Sequence, residues 1–241
     1  MALVVGVTDR VMTVTIPRTQ TGIKEYFLIM EQSSTLCRDI GLIASCLRAS
    51  QEAMDCLEAV RSLELPDAWI SAGFVRNRVW DRLHGFRRET PLNDIDLLFF
   101  DPADASREHE AAVERRLAAI LPGRPFEARN QARMHLKNGD APYVDTFDAL
   151  FGWMETPTAI AVRVDDAGTL HFLHPFGIDD LMMMRVRPTP RAVGCIEVYN
   201  ERMAAKRWPE IWIKVRVLGD PPDMAVPRRQ RSAVLAVPGR N

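Results

Sequence analysis

The chain has 241 residues, of which 47% are apolar and 26% are charged, a balance typical of a globular protein with a sizeable core. Its 31 basic and 32 acidic side chains nearly cancel, which excludes binding to nucleic acid through bulk positive charge alone. No apolar run approaches the roughly 18 residues of a membrane span. Residues 1–30 lack the basic and apolar pattern of a secretory signal. We therefore expect a cytoplasmic protein with no membrane partner.

The composition changes along the chain in a way that predicts three parts. Residues 1–29 show only a weak alternation and predict a poorly ordered leader. Residues 30–218 alternate between helical and strand patterns and form the predicted domain. Residues 219–241 combine prolines and arginines, which predicts a flexible tail.

The predicted domain contains helices and strands in alternation. Apolar residues at helical spacing predict two helices within 34–63, with Ser50 as the N-cap of the second. In chain order, the following patterns then predict a strand at 68–72, a helix at 74–84, a strand at 94–100, a helix at 106–121, a strand at 126–129, a short helix at 145–151, a hairpin of 159–164 with 169–173, and helices at 181–184 and 196–207. This interleaving predicts a mixed α+β fold with a small sheet flanked by helices.

The strand at 94–100 carries two aspartates, Asp94 and Asp96, within an otherwise apolar run. Alternating side chains of a strand share a face, so these carboxylates should lie about 6.6–6.8 Å apart along one side of it. Two like charges in a half-buried setting repel unless a cation offsets them. A hard divalent metal such as Mg²⁺ does so and keeps coordination positions for phosphate oxygens. The alternative is a strand cap plus a solvent-facing acid.

The strand before this pair ends in Ala72 and Gly73, which open a helix. Small residues let the backbone approach a ligand closely, and a helix N-terminus attracts phosphate. Arg76, one turn into the helix, is placed either to contact a phosphate oxygen or to pair with Asp81 on the helix surface. The order of turn and aspartate pair predicts a nucleotide site.

This order resembles the polymerase-beta-like nucleotidyltransferase superfamily. Residues 72–77, Ala-Gly-Phe-Val-Arg-Asn, with Leu-His-Gly at 83–85, are similar to the Gly-Gly-x-Val-Arg-Asp and Leu-x-Gly element of its tRNA-tail-adding and poly(A)-adding branch. More closely, the chain from about residue 47 to 208, including 130–135 and 175–181, resembles a bacterial nucleotidyltransferase-like family of uncharacterised substrate. Ala72 stands where that element has its first glycine.

The resemblance implies transfer of a nucleoside monophosphate from an NTP such as ATP to an acceptor hydroxyl, with release of pyrophosphate. It implies that Asp94 and Asp96 bind Mg²⁺ and that a third carboxylate on a neighbouring strand is a metal ligand or base. Glu127 is the first candidate for that carboxylate and Asp145 the second, while an exposed strand residue is the plain interpretation of Glu127. The acceptor, a small molecule, a protein or an RNA, stays open.

Further polar residues follow the third predicted strand. Asn130 and Arg133 are candidates for contacts with a base or acceptor, or for satisfying backbone groups at the strand end. Two other functions also stay open: a protein of this fold that binds nucleotide, RNA or a partner protein without transfer, and a metal-dependent phosphoester hydrolase with the same carboxylates.

Overall fold

The computed structural model describes the backbone of residues 2–7, 10–15, 20–221 and 235–239, with side chains from residue 34 onward. The chain divides into two units, Met1–Asp39 and Ile40–Asn241. In the first unit, β1 (Ala2–Val7) and β2 (Arg10–Thr15) pair as antiparallel strands. Part of the predicted leader, 1–29, lies outside the described residues, and its poor order stays a prediction.

The second unit holds the helices and strands of the predicted domain. Helix α1 (Gln20–Arg48) ends in it. After α1 the chain forms α2 (Gln51–Arg61), β3 (Trp69–Ser71), α3 (Gly73–His84), β4 (Ile95–Phe99), α4 (Arg107–Ile120), β5 (Phe126–Asn130), α5 (Gln131–Asn138), α6 (Thr146–Leu150), a 3-10 turn (Thr156–Thr158), β6 (Ala161–Val164), β7 (Leu170–Leu173), α7 (Asp179–Met182), β8 (Arg185–Val186), α8 (Pro190–Val193), α9 (Ile196–Lys206), α10 (Trp208–Ile211), β9 (Arg216–Val217) and β10 (Leu235–Val237). The Ser50 hydroxyl accepts from the Ala53 amide at 3.2 Å, which confirms the predicted cap of α2.

Six strands form the central sheet in the order β10-β7-β6-β3-β4-β5. Strands β4 and β5 run parallel, and the other neighbouring pairs are antiparallel. A mixed sheet flanked by helices confirms the predicted α+β class.

The two faces of the sheet are covered by different helices. Trp69 of β3 and Leu98 of β4 pack against Leu150 of α6, and we call the face that carries them the front face. Phe99 points to the other face by strand alternation, where its ring lies 5.4 Å from that of His109 in α4. Because Asp96 alternates in step with Leu98, its side chain projects from the front face.

The two ends of the sheet are also covered. At the β5 edge, two carboxylates of α4 accept hydrogen bonds from backbone amides of β5 that point away from the sheet. Glu114 accepts from the Ala128 amide at 2.8 Å, and Glu110 accepts from the Asn130 amide at 2.7 Å. Such capping removes unpaired edge donors. At the other edge, β10 pairs with β7. Strand β10 lies within 219–241, where the sequence predicted no strand. Residues 222–234 lie outside the described part of the chain, and the flexibility of the tail stays a prediction.

In the described part of the chain, every helix is too short or too polar to cross a bilayer.

Candidate active site

The chain turns sharply between β3 and α3. Ala72 has φ 56° and ψ −120°, a conformation that glycine adopts freely and that strains an L residue. Its amide donates to the Ile160 carbonyl at 3.1 Å, and its own carbonyl accepts from the Arg76 amide at 3.0 Å. The turn therefore connects the centre of the sheet directly to the first turn of α3.

Gly73 keeps a small space open in front of Arg76. A Cβ at Gly73 would lie 3.4 Å from Nη2 of Arg76 and 3.9 Å from Cδ2 of Leu92, in van der Waals contact with both side chains. The first residue of α3 thus leaves its backbone accessible beside a cation, an arrangement that suits an anionic ligand.

Asp94, Asp96 and Glu127 lie close enough to influence one another at the end of the sheet next to this turn. Asp94 directly precedes β4, and Asp96 pairs in register with Glu127 of the parallel strand β5. Register partners project from the same face. Burial, together with the negative charges of Asp94 and Glu127, raises the pKa of Asp96 from 3.8 to about 6. The structure therefore brings together the pair and the first candidate for the third carboxylate.

Two cations lie close enough to Asp96 to oppose this rise in its pKa, namely Lys206 and Arg129. Arg129 also binds Glu127 at 2.7 Å and Glu114 at 3.1 Å. Lys206 is the last residue of α9, more than a hundred residues from Asp96 in the chain. No local pattern in the sequence connects Lys206 to the carboxylates.

Arg76 is buried in a cage of tryptophan rings. Only 8% of the residue is exposed. Its guanidinium carbon lies 4.2 Å from the ring centroid of Trp208, 5.4 Å from that of Trp80 and 5.9 Å from that of Trp212. The rings hold the planar cation in place through cation–π contacts.

The hydrogen-bonding groups of Arg76 are only partly used by the protein. Nη2 donates to Oδ1 of Asn77 at 2.8 Å, and the buried Nε has no hydrogen-bond partner among the described residues. Burial lowers the pKa of Arg76 to about 10, while Glu155, Asp94 and Asp96 favour its charged form. The predicted alternative, a pair with Asp81, does not form: that carboxylate accepts instead from Thr90 and from the Trp212 indole.

Asn130 and Arg133 lie at the opposite end of β5 from Glu127 and bond to the chain itself. Asn130 is fully buried; its side chain accepts from two backbone amides and donates to two backbone carbonyls. Arg133 forms a two-point ion pair with the buried Glu110. These contacts favour the structural alternative for both residues, and we leave both out of the site proposed below.

Asp145, the second candidate for the third carboxylate, is the N-cap of α6. Its Oδ1 accepts from the Asp148 amide at 2.7 Å. With Asp145 in this capping role, Glu127 is the remaining candidate for the third carboxylate. The Glu127 side chain is exposed, as its plain interpretation expects, and its role in the site stays a prediction.

A Mg²⁺ site at Asp94 and Asp96 stays a prediction. The described side chains include no group of three or more His, Cys, Asp or Glu arranged to hold a metal ion. Burial first, and then the negative charges of Asp94 and Glu127, raise the pKa of Asp96, so a cation bound nearby would lower it. Oxygen ligands with this excess of charge are those that Mg²⁺ prefers.

Known proteins resemble this chain in sequence and in fold. A family model described as nucleotidyltransferase matches residues 58–217, a range that contains the turn, the three carboxylates and Lys206. A solved structure described by the words "The NMR structure of the protein reveals a CCA-adding enzyme head domain" is 31% identical, with a TM-score of 0.66, over 74% of this chain and 95% of that chain.

Two further solved structures are more distant. A CCA-adding enzyme in complex with CTP is 14% identical, with a TM-score of 0.47, over 74% of this chain and 42% of that chain. A tRNA-processing enzyme is 19% identical, with a TM-score of 0.42, over 68% of this chain and 44% of that chain. We base no argument on these two. A search of curated proteins gave no match.

Proposed function

Because the chain belongs to a nucleotidyltransferase family, we propose that it moves a nucleoside monophosphate from an NTP to an acceptor hydroxyl in a Mg²⁺-dependent reaction that releases pyrophosphate. The observation that carries this proposal is the grouping of Asp94, Asp96 and Glu127 beside the Ala72–Gly73 turn. Carboxylates for a metal and a glycine turn for phosphates are the two parts that such a transfer needs.

The residues of the site take the following roles. Asp94 and Asp96 hold Mg²⁺, which when bound offsets the charge of the phosphate oxygens. The Gly73 backbone and the start of α3 receive the triphosphate. The Nη2 group of Arg76 lies beside Gly73, and we assign this cation a contact with a phosphate oxygen. Lys206, an exposed cation near Asp96, adds positive charge at the same place.

The chemical step is a displacement at the α-phosphorus of the NTP. The acceptor oxygen forms a bond to this phosphorus, and the bond from phosphorus to the oxygen of the β-phosphate breaks. The electron pair leaves with pyrophosphate, and Glu127 takes the proton of the acceptor hydroxyl. The ion pair of Glu127 with Arg129 fixes the carboxylate in its position on β5.

A protein that binds nucleotide without transfer is the second candidate. Ala72 favours it, because this residue puts a strained L conformation where the related element has a glycine. Pyrophosphate release separates the two: it occurs with a suitable acceptor only in the first case.

The proposal is tested with the full chain and variants Asp94→Ala and Asp96→Ala. We expect NTP binding, measured by calorimetry, to need Mg²⁺ in the natural protein and to weaken by more than about tenfold in either variant, since each removes a ligand of the metal. Glu108→Gln, which removes a negative charge from an exposed position of α4, is the matched control and should bind normally. Unchanged Mg²⁺-dependent binding in both aspartate variants would refute the proposed metal site.

A further inference from the structure

A cavity is lined by none of the three carboxylates Asp94, Asp96 and Glu127. It has a volume of about 610 Å³ and lies between the loop that joins α5 to α6, the end of α6, the residues after β7 and the start of α8. Small-molecule sites have volumes of about 300–1,000 Å³. The α6 helix that borders it packs on the front face through Leu150, and Asp96 projects from that same face. The cavity is therefore on the catalytic side of the sheet.

Aromatic rings form the apolar walls of this cavity. Tyr143, Phe151 and Phe176 line it. The rings of Phe151 and Phe176 stand 5.5 Å apart at 80°, and Phe147 packs on Phe151 in the same way at 5.4 Å. These contacts fix the ring of Phe151 at the wall of the cavity. The face of an aromatic ring attracts a positive charge and repels a negative one.

The polar groups of the cavity leave one carboxylate uncompensated. Asp140 is neutralised by an ion pair with Arg191, and it also accepts from the Tyr143 hydroxyl. Asp148 has one contact, from the Val144 amide at 3.2 Å, and no ion-pair partner within the described residues. The cavity thus combines aromatic walls with one net negative charge, a combination that favours a cation over an anion.

We propose that this cavity binds the acceptor of the transfer reaction, and that the acceptor is an organic cation with an apolar or aromatic portion and a free hydroxyl group. This inference rests on the proposed function, because an acceptor is needed only if transfer occurs. The ammonium group lies between Asp148 and the aromatic walls, and the hydroxyl is left free for the reaction on the front face.

Three probes of similar shape and different charge test the choice of ligand: phenethylammonium, 2-phenylethanol and phenylacetate. Calorimetric titration of the full chain should show the cation binding more tightly than the alcohol, and the anion binding most weakly. Asp148→Asn should weaken binding of phenethylammonium by about tenfold, because a charge–charge attraction is lost. The same substitution should leave the affinity for the neutral 2-phenylethanol unchanged.

Two more variants guard against a change in folding. Phe151→Leu keeps an apolar wall without a ring face and should reduce the preference for the cation over the alcohol. Glu108→Gln also removes one negative charge, but from α4, which packs on the other face of the sheet. This control should leave the affinities for all three probes unchanged. The proposal is overturned if no probe binds, if the anion binds best, or if Asp148→Asn leaves the cation affinity unchanged.

A final titration separates this inference from the proposed function. Phenethylammonium and Mg²⁺–NTP should bind together, each without displacing the other, because acceptor and donor occupy different sites. Displacement of the nucleotide by the cation would overturn the acceptor assignment. If the cation binds as expected but NTP does not bind at all, the nucleotidyl transfer proposal fails and with it the acceptor role. If NTP binds with Mg²⁺ and no probe binds, only the cavity assignment fails.

Discussion

Replacing Asp96 by Asn should stabilise the protein at neutral pH when no metal is present. Asp96 is partly buried beside Asp94 and Glu127, and its raised pKa shows that its charged form is disfavoured in the folded state. Asparagine has nearly the same shape and no charge, so the substitution removes the repulsion without opening a cavity.

The size of the effect follows from the two pKa values. In the unfolded chain Asp96 loses its proton near pH 3.8, whereas in the folded protein it keeps it to about pH 6. Folded stability therefore falls as the pH rises from about 4 to about 6. A full conversion of this pKa difference gives a loss of about 3 kcal/mol. At pH 7.5 we expect Asp96→Asn to be more stable than the natural protein by about 2–3 kcal/mol, and below about pH 4 we expect no difference.

Urea unfolding between pH 3.5 and 8, followed by the fluorescence of the tryptophans around Arg76, measures this difference in the presence of a chelator. Addition of Mg²⁺ at pH 7.5 should then raise the stability of the natural protein and leave Asp96→Asn unaffected, because the bound cation compensates the same charge. Glu127→Gln should flatten the pH dependence in part, since it removes one of the two neighbouring charges.

The reasoning fails if the stability difference between Asp96→Asn and the natural protein is the same at pH 3.5 and 7.5. It also fails if the natural protein is the more stable of the two at pH 7.5 without metal. Either result would mean that burial and the neighbouring carboxylates do not disfavour the charged form of Asp96 in the folded state.

Because Ala72 is strained at a positive φ, Ala72→Gly should destabilise the protein by about 1–3 kcal/mol less than Ala161→Gly does. Ala161→Gly is the matched control, since it also removes a buried methyl group, in β6, but relieves no positive φ. Equal losses of unfolding free energy in urea would contradict this prediction. Arg133→Met should lower the free energy of unfolding by about 3–5 kcal/mol, because the Glu110 carboxylate stays buried without its cation. The NTP dissociation constant of the folded variant should stay unchanged. Weakened NTP binding would instead support a substrate contact for Arg133. Trp208→Leu should weaken NTP binding more than Trp208→Phe does, because only phenylalanine keeps a ring over the Arg76 guanidinium; calorimetry with both variants checks the order.

Most of the described secondary structure of the domain could be read from local patterns. The strands β3, β4 and β5 lie within two residues of their predicted bounds, because short runs of buried apolar residues bracketed by turn residues leave few alternatives. The sequence patterns did not predict helix α5. Only Gln131 of its eight residues is buried, so no apolar stripe marks it, and its limits depend on the Asn130 cap and on Gly139 at φ 69°.

The candidate site shows where local reasoning ends. The Asp-x-Asp spacing and the small residues of the turn already specified which groups belong near a nucleotide, since strand alternation and helix termini are properties of a few consecutive residues. Three features of the site join segments that are far apart in the chain. They are the register that sets Glu127 beside Asp96, the tryptophan cage around Arg76 and the position of Lys206 near Asp96. Such contacts depend on how the elements pack, and the free energy of that packing comes from burial over the whole core rather than from any short stretch of residues.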